Sequence, residues 1–100
     1  MKVKLLFIKK YYSNPKQIIT SIYEDCVYLG NIIEDCEENK INIKITESAI
    51  SKEKEIICSN YVFAKQVFIN KITAYTEKCF NKKITVLTKT IDVNMDNDWN

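Results

Sequence analysis

Apolar and polar residues recur along the chain in patterns that predict six regular segments. The first, VKLLFIKKYY at 3–12, suits either a short helix or a strand. A strand is the competing interpretation, since Val, Phe, Ile and Tyr also suit strands. A helix would bring one group of large residues close to one face: Val3, Leu6, Phe7 and Tyr11. Both alternatives stay open for this segment.

The next segment carries the signals of a helix start. In the stretch SNPKQ, Asn14 suits an N-cap, Pro15 suits the first helical position, and Gln17 follows three residues after the cap. The apolar residues beyond it recur at spacings of four, four, three and four: Ile18, Ile22, Cys26, Leu29 and Ile33. This stripe predicts a second helix, which Gly30 ends or loosens.

Three strands are predicted in the rest of the chain. INIKIT at 41–46 alternates apolar and polar residues, which indicates a half-buried strand. A short buried strand follows at 56–58, after a polar connection. The last is ITVLTKTI at 84–91, which is rich in Thr, Val and Ile.

A long central helix is predicted between the last two strands. Ser59 or Asn60 can cap its start, it runs to about Phe80, and Asn81 suits the left-handed residue that ends a helix. Its apolar residues cover a wide arc: Phe63, Val67, Ile69, Ile72, Tyr75 and Cys79. Such a helix is expected to pack on a sheet with one side and against other helices with another.

The predicted fold class is therefore α+β, with the order helix, helix, strand, strand, helix, strand (ααββαβ). A three-stranded sheet with helices on one face forms a two-layer sandwich. We expect a single domain over residues 1–91 and an acidic, flexible tail over 92–100.

Composition argues against an enzyme. The chain has no His, which removes the commonest general base and the His-dependent nucleophile pairs, and its single Gly excludes a glycine-rich phosphate loop. The adjacent carboxylates Glu24–Asp25 and Glu34–Asp35 would point to different faces of a helix, away from shared acid–base work. We expect no catalytic residue, cofactor or metal.

Cysteine usage and the first residues predict a cytoplasmic protein. The apolar run in MKVKLLFIKK is four residues long, too short for a signal peptide, and no stretch is long enough to span a membrane. We expect four reduced, mostly buried thiols: Cys26, Cys36, Cys58 and Cys79. A four-cysteine zinc site is disfavoured by the spacing, and a disulfide-stabilised secreted domain stays a competing class.

Charge is strongly segregated along the sequence. Residues 1–20 carry five Lys and no acid, residues 21–40 carry six acids and one Lys, and residues 61–90 carry six Lys and one acid. All fifteen basic residues are Lys, which attracts phosphate but lacks the planar fork that reads guanine. Blocks of this kind predict one basic and one acidic surface, or solvated faces without partners.

The predicted surfaces are assigned to the helices. A basic DNA-binding face is expected on and just after the central helix, with tyrosines nearby for stacking: Lys65, Lys71, Lys78, Lys82 and Lys83. A partner-binding face is expected on the acidic second helix: Glu24, Asp25, Glu34 and Asp35.

The run SNYVFAKQVFINKI resembles a pattern of the DciA family of bacterial replicative-helicase operators. Five residues fall at matching spacing, with Phe in place of the family's Trp and Gln in place of its acid: Asn60, Phe63, Ala64, Gln66 and Val67. The likeness extends to SIYEDCVYLGNII at 21–33, to the basic turn NKK and to the strand ITVLTKTI. The N-terminal domain of the initiator DnaA is similar in architecture.

The resemblance implies a KH-like fold, here without the GxxG loop, and a place in DNA replication. It implies a non-enzymatic accessory domain that binds or helps load the replicative helicase and binds DNA weakly without sequence specificity. The competing interpretation is a protein–protein interaction module of a virus or mobile element with no nucleic-acid role.

Overall fold

The structure is a computed structural model that describes residues 1–45 and 55–95. Within these ranges the chain forms a six-stranded sheet and one helix. The elements in chain order are β1 (Lys2–Ser13), β2 (Lys16–Glu24), β3 (Val27–Asp35), β4 (Lys40–Ile45), β5 (Glu55–Cys58), α1 (Tyr61–Phe80) and β6 (Thr85–Asn94).

The sheet is mixed, with the strand order β5-β4-β3-β2-β1-β6. The first five strands pair as antiparallel neighbours. The chain then crosses the sheet through α1, and β6 pairs parallel with β1 at the opposite edge. Antiparallel strands can be joined by tight turns, whereas the parallel pair needs a long connection, and this connection includes the helix.

The core lies between α1 and one face of the sheet. Alternate residues of β1 point into it, so that Val3, Leu5 and Phe7 are at most 3% exposed. The helix contributes residues spaced by four, and Phe68 is completely buried among them. The whole set of buried apolar residues is Val3, Leu5, Phe7, Ile22, Leu29, Ile32, Ile43, Cys58, Ala64, Phe68 and Ile72.

The prediction of the long helix is confirmed, including both of its ends. Asn60 has an extended backbone and its side-chain oxygen accepts a hydrogen bond from the Phe63 N–H at 2.8 Å, as an N-cap does. Asn81 ends the helix in the left-handed conformation, with φ 53° and ψ 40°. The strands predicted at 41–46, 56–58 and 84–91 are present as β4, β5 and β6; residue 46 lies outside the described residues.

The predicted second helix is wrong, because residues 16–35 form the hairpin of β2 and β3. The spacing of four between Ile18 and Ile22 fits a strand as well as a helix, since it is a multiple of two. Asn14 and Pro15 cap no helix: they form the turn between β1 and β2, with a cis peptide bond between them. The turn from β2 to β3 is made by Asp25, which has φ 54° without being glycine.

The predicted fold class is therefore also wrong. Instead of a three-stranded sheet with helices on one face in the order ααββαβ, six strands are covered by one helix, so a KH-like arrangement is absent. Residues 3–12 are part of a strand, the second of the two alternatives. The last strand continues through Asn94, so the first residues of the expected tail pair with β1.

Gly30 marks an irregularity in β3. Its φ of 148° is in a region that glycine adopts readily. The register between β2 and β3 shifts at Ile22 and Tyr23, so Leu29 is an extra residue on the β3 side. Leu29 is 6% exposed and joins the core. The bulge thus adds an apolar side chain to the buried face at the end of the hairpin.

Replacing Phe68 by Ala is expected to lower the free energy of unfolding by about 3–5 kcal/mol, since it leaves a cavity beneath the helix. Phe63→Ala is the matched control on the same helix. Phe63 is 54% exposed, so its truncation should change stability by no more than about 0.5 kcal/mol. Urea unfolding followed by circular dichroism measures both. Equal losses would contradict the observed orientation of α1.

Candidate functional site

The sheet face opposite α1, called here the open face, is strongly basic. Paired residues of neighbouring strands share a face, so the register identifies its members. Leu6 pairs with Tyr23 and Lys89, and Asn31 pairs with Lys44. The lysines at its positions come from three strands, β1, β4 and β6: Lys2, Lys4, Lys10, Lys40, Lys44 and Lys89. Among residues whose side chains are described, the acid at a strand position of the open face is Asp35.

Tyrosines stand among these lysines. Tyr12, Tyr23 and Tyr28 are on the open face by their register. The rings of Tyr23 and Tyr28 lie 5.5 Å apart between centroids at 58°, and the Tyr28 hydroxyl accepts a hydrogen bond from Asn31 Nδ2 at 2.8 Å. Tyr28 remains 40% exposed. Partial burial raises the pKa of its hydroxyl, and the Asn31 hydrogen bond opposes that shift.

A groove of about 340 Å³ runs along the open face beside β6. Lys4 and Lys89 contribute its cationic groups, Leu6 and Ile91 contribute apolar surface, and Asp25 lies at its end. Ile91 is 40% exposed there. The groove therefore combines apolar surface of the kind that a ring can pack on with two cations that can pair with an anion.

On the other face, a polar cluster is enclosed between the sheet and the first turn of α1. The Lys9 ammonium lies 4.0 Å from the centroid of the Tyr61 ring and 5.9 Å from that of Tyr11. It also lies 4.0 Å from Glu34 Oε1, and the two side chains are only 20% and 17% exposed. Tyr11 donates a hydrogen bond to Asp92 Oδ1 at 3.0 Å. The cluster thus links β1, β3, β6 and α1.

Three buried oxygen atoms of this cluster make no hydrogen bond with described residues: Thr20 Oγ1, Glu34 Oε1 and the Tyr61 hydroxyl. Thr20 is near enough to the Tyr61 hydroxyl to oppose the rise of its pKa, but the pair lacks hydrogen-bond geometry. Burial is the main cause of that rise. Burial likewise raises the pKa of the Glu34 carboxyl, and the Lys9 ammonium offsets only part of that effect.

The lysines predicted to bind DNA do not form one exposed stripe. Lys65 is half-buried with its ammonium 4.9 Å from the Phe7 ring centroid. It lies about 120° around the helix from Lys71, since six residues turn through about 600°. Lys71 is half-buried and takes part in an interaction of its own. The exposed members are those at the end of the helix: Lys78, Lys82 and Lys83.

The acids predicted to bind a partner are dispersed as well. Glu24 ends β2, and Asp25 is in the turn that follows. Glu34 points toward α1, whereas Asp35 lies on the opposite face of the same strand. Asp35 also accepts hydrogen bonds from the Glu37 and Glu38 N–H groups at 3.0 and 3.1 Å, which shapes the turn before β4. No single acidic surface contains all four.

Sequence reasoning missed the open face, although its signal was present. In KVKLLFIKKYY the even-numbered residues from Lys2 to Tyr12 share one side once the segment is a strand. A helical assignment distributes the same residues around an axis and hides the pattern. The lysines missed in this way include Lys4 and Lys10. Lys44 and Lys89 lie on segments that were predicted as strands, but their places in the sheet were not predicted.

The thiols are free in the part of the chain that the structure describes, but the expectation that most are buried is wrong. Cys26, Cys36 and Cys79 are exposed, and only Cys58 is buried. Burial raises the pKa of the Cys58 thiol. Among the described residues, no three Cys, Asp or Glu side chains are placed to hold a metal ion. The described helix lacks the apolar length needed to cross a membrane.

Comparisons with known proteins and structures found no match. No protein-family model matches the chain, no curated protein matches it, and no solved structure matches the fold. The likeness to the DciA family thus rests on the sequence pattern alone, and the KH-like architecture that it implied differs from the observed one.

Replacing Glu34 by Gln is expected to stabilise the protein at neutral pH. A carboxyl whose folded-state pKa is raised above the ordinary 4.5 favours folding while protonated, and it costs stability as pH rises through the folded-state pKa. The free energy of unfolding of Glu34→Gln at pH 7 should exceed the wild-type value, with a flatter dependence above pH 4.5. Urea unfolding over a series of pH values measures both.

Glu38→Gln provides the control, because Glu38 is exposed in the adjacent turn. Its replacement should change the free energy of unfolding at pH 7 by no more than about 0.5 kcal/mol. A loss of stability in Glu34→Gln at pH 7 would instead mean that attraction to Lys9 outweighs the desolvation of the carboxylate.

Proposed function

We propose that the protein binds single-stranded nucleic acid on the open face, with little preference for base sequence. The observation that carries this proposal is the combination, at strand positions of the open face, of six lysines, three tyrosines and, among residues whose side chains are described, one acid. Lysines attract the phosphate backbone, and aromatic rings accept bases of any identity by stacking. Under this proposal, the weak, non-specific DNA binding predicted from the sequence occurs on the sheet instead of the central helix.

The shape of the site supports single strands over a duplex. A sheet face presents side chains on a broad surface, on which an unpaired strand can lay its bases while its phosphates reach flanking cations. The groove beside Lys4 and Lys89 has this arrangement, with apolar surface from Leu6 and Ile91. The absence of Arg from the sequence argues against reading of guanine edges in a duplex groove.

Recruitment or loading of a replicative helicase remains a prediction from the sequence pattern. The open face would serve such a role by holding the unpaired strand on which a helicase assembles. The proposal for nucleic-acid binding stands without it, since it rests on the charges and rings of the open face.

A double substitution separates the open face from the helix end. In a fluorescence anisotropy titration with labelled single-stranded oligonucleotides at low and moderate salt, Lys4→Glu with Lys89→Glu should weaken binding strongly. Loss of two phosphate contacts should also reduce the slope of log affinity against log salt by about 1.4, at about 0.7 per contact. Duplex DNA of the same length should bind more weakly than the single strand.

Lys78→Glu with Lys82→Glu is the matched control, since it changes the net charge equally at exposed positions on and just after α1. It should retain most of the affinity. If Lys78→Glu with Lys82→Glu weakened binding and Lys4→Glu with Lys89→Glu did not, the DNA-binding surface would be on the helix, as the sequence predicted. No binding by the wild-type protein at low salt would leave a protein-interaction role as the better interpretation.

Replacing Tyr28 by Ala tests the stacking part of the proposal. It should cost about 1–3 kcal/mol of binding free energy if one base stacks on this ring, while the salt slope stays unchanged because no charge is lost. Tyr75→Ala is the control, since Tyr75 is 43% exposed on α1, close to the 40% of Tyr28. Equal affinities for the two variants in the same titration would exclude stacking on Tyr28.

A further inference from the structure

The outer edge of β6 is a long strand edge that no described strand pairs with. β6 has ten residues, and eight of them are exposed. Leu87 is 43% and Ile91 is 40% exposed, which is high for large apolar residues in the middle of a strand. β5, at the opposite edge of the sheet, has only four residues. Short edge strands resist further pairing, whereas long ones present a row of unpaired backbone groups.

The direction of these backbone groups follows from one hydrogen bond. The Thr85 N–H donates to the Met1 carbonyl at 2.9 Å, so the backbone of Thr85 points toward β1. Successive residues of a strand direct their N–H and C=O groups to opposite sides. The even-numbered residues from 86 to 94 therefore direct theirs outward, away from the sheet.

We infer that β6 pairs antiparallel with β6 of a second copy of this chain, around a twofold axis that passes beside Thr90. This inference is independent of the proposed function. A twofold axis perpendicular to the sheet leaves the open faces of both copies on the same side. Even-numbered residues must therefore pair with even-numbered residues of the second copy, and odd-numbered with odd-numbered ones. When the axis passes beside Thr90, residues 86–94 of one copy lie along residues 94–86 of the other. The outward-directed N–H and C=O groups of each copy then face those of the other.

The side chains are compatible with that register. Thr90 lies opposite its own copy, and Thr–Thr pairs are favourable across strands. Thr88 lies opposite Asp92 of the second copy. On the open face, Leu87 lies opposite Val93 of the second copy, an apolar pair. Centring on Lys89 or on Asp92 would place like charges directly opposite each other, which is unfavourable.

The result is one continuous twelve-stranded sheet whose two open faces adjoin. Leu87, Ile91 and Val93 of both copies then form a single apolar strip beside the grooves that contain Lys89. Lys89 has Ile91 of the second copy opposite it, and the two Lys89 side chains meet only diagonally. A charged residue in the middle of an edge strand usually hinders pairing with a second strand. In this register Lys89 does not hinder it, because no like charge lies directly opposite.

Cross-linking tests the register directly. With Cys26, Cys36 and Cys79 replaced by Ser, Thr90→Cys should form a disulfide-linked dimer on mild oxidation, since opposed Cα atoms of a hydrogen-bonded pair lie about 5.5 Å apart. Thr88→Cys is the control on the same strand. Its two copies would lie about 13 Å apart along the strands, too far for a disulfide. Equal cross-linking of both variants would overturn the register.

Sedimentation equilibrium of nucleic-acid-free protein tests the association itself, from about 1 µM to about 1 mM, which spans weak to moderate affinities. The wild type should show a dimer that Thr90→Val retains and Thr90→Pro loses. Pro removes an N–H that points outward, so the fold should survive. Should Thr90→Pro unfold, Thr90→Lys opposes two cations without changing the backbone and should also give a monomer. A wild-type monomer at every concentration would overturn the inference.

Discussion

The packing of one helix against one face of the sheet is the constraint on which the rest of the structure depends. A helix of twenty residues is about 30 Å long, and six strands side by side span about 24 Å. A single α1 can therefore cross the sheet and carry the chain from β5 to β6. Phe68, Ala64 and Ile72 bury its inner side against Phe7 and its neighbours. Among the described residues there is no second helix to pack on the opposite face, and that face carries lysines.

Elements with local signals were predictable from the sequence. The helix was found because Asn60 and Asn81 carry the chemistry of its two ends, and β4 was found because its residues alternate strictly. The β2–β3 hairpin was not found, because apolar residues spaced by four fit both the helical period of 3.6 residues and the strand period of two. Its turn was hidden as well, since Asp25 adopts the left-handed conformation without a glycine to mark it.

The candidate site was harder to predict than the fold elements. Membership of a sheet face depends on which segments are strands and on their register, so an error over residues 16–35 also misplaces the charges of that segment. Glu34 and Asp35 illustrate this, because adjacent residues of a strand serve opposite faces. The lysines of β1 were visible in the sequence but share a surface with those of β6 and β4 only in the assembled sheet, where β6 is next to β1 and β4 is three strands away. Long-range pairing of this kind has no local sequence signature.

The parallel pairing of β6 with β1 also has a consequence for biosynthesis. It joins residues 2–11 to residues 85–94, contacts of high sequence separation that slow folding. A ribosome that adds about 5–20 residues per second needs roughly 4–15 s to make the intervening stretch. During that time the nascent β1 has an unpaired edge next to apolar residues such as Leu5 and Phe7. Until its last strand emerges, the nascent chain therefore presents a strand edge that can pair with other chains.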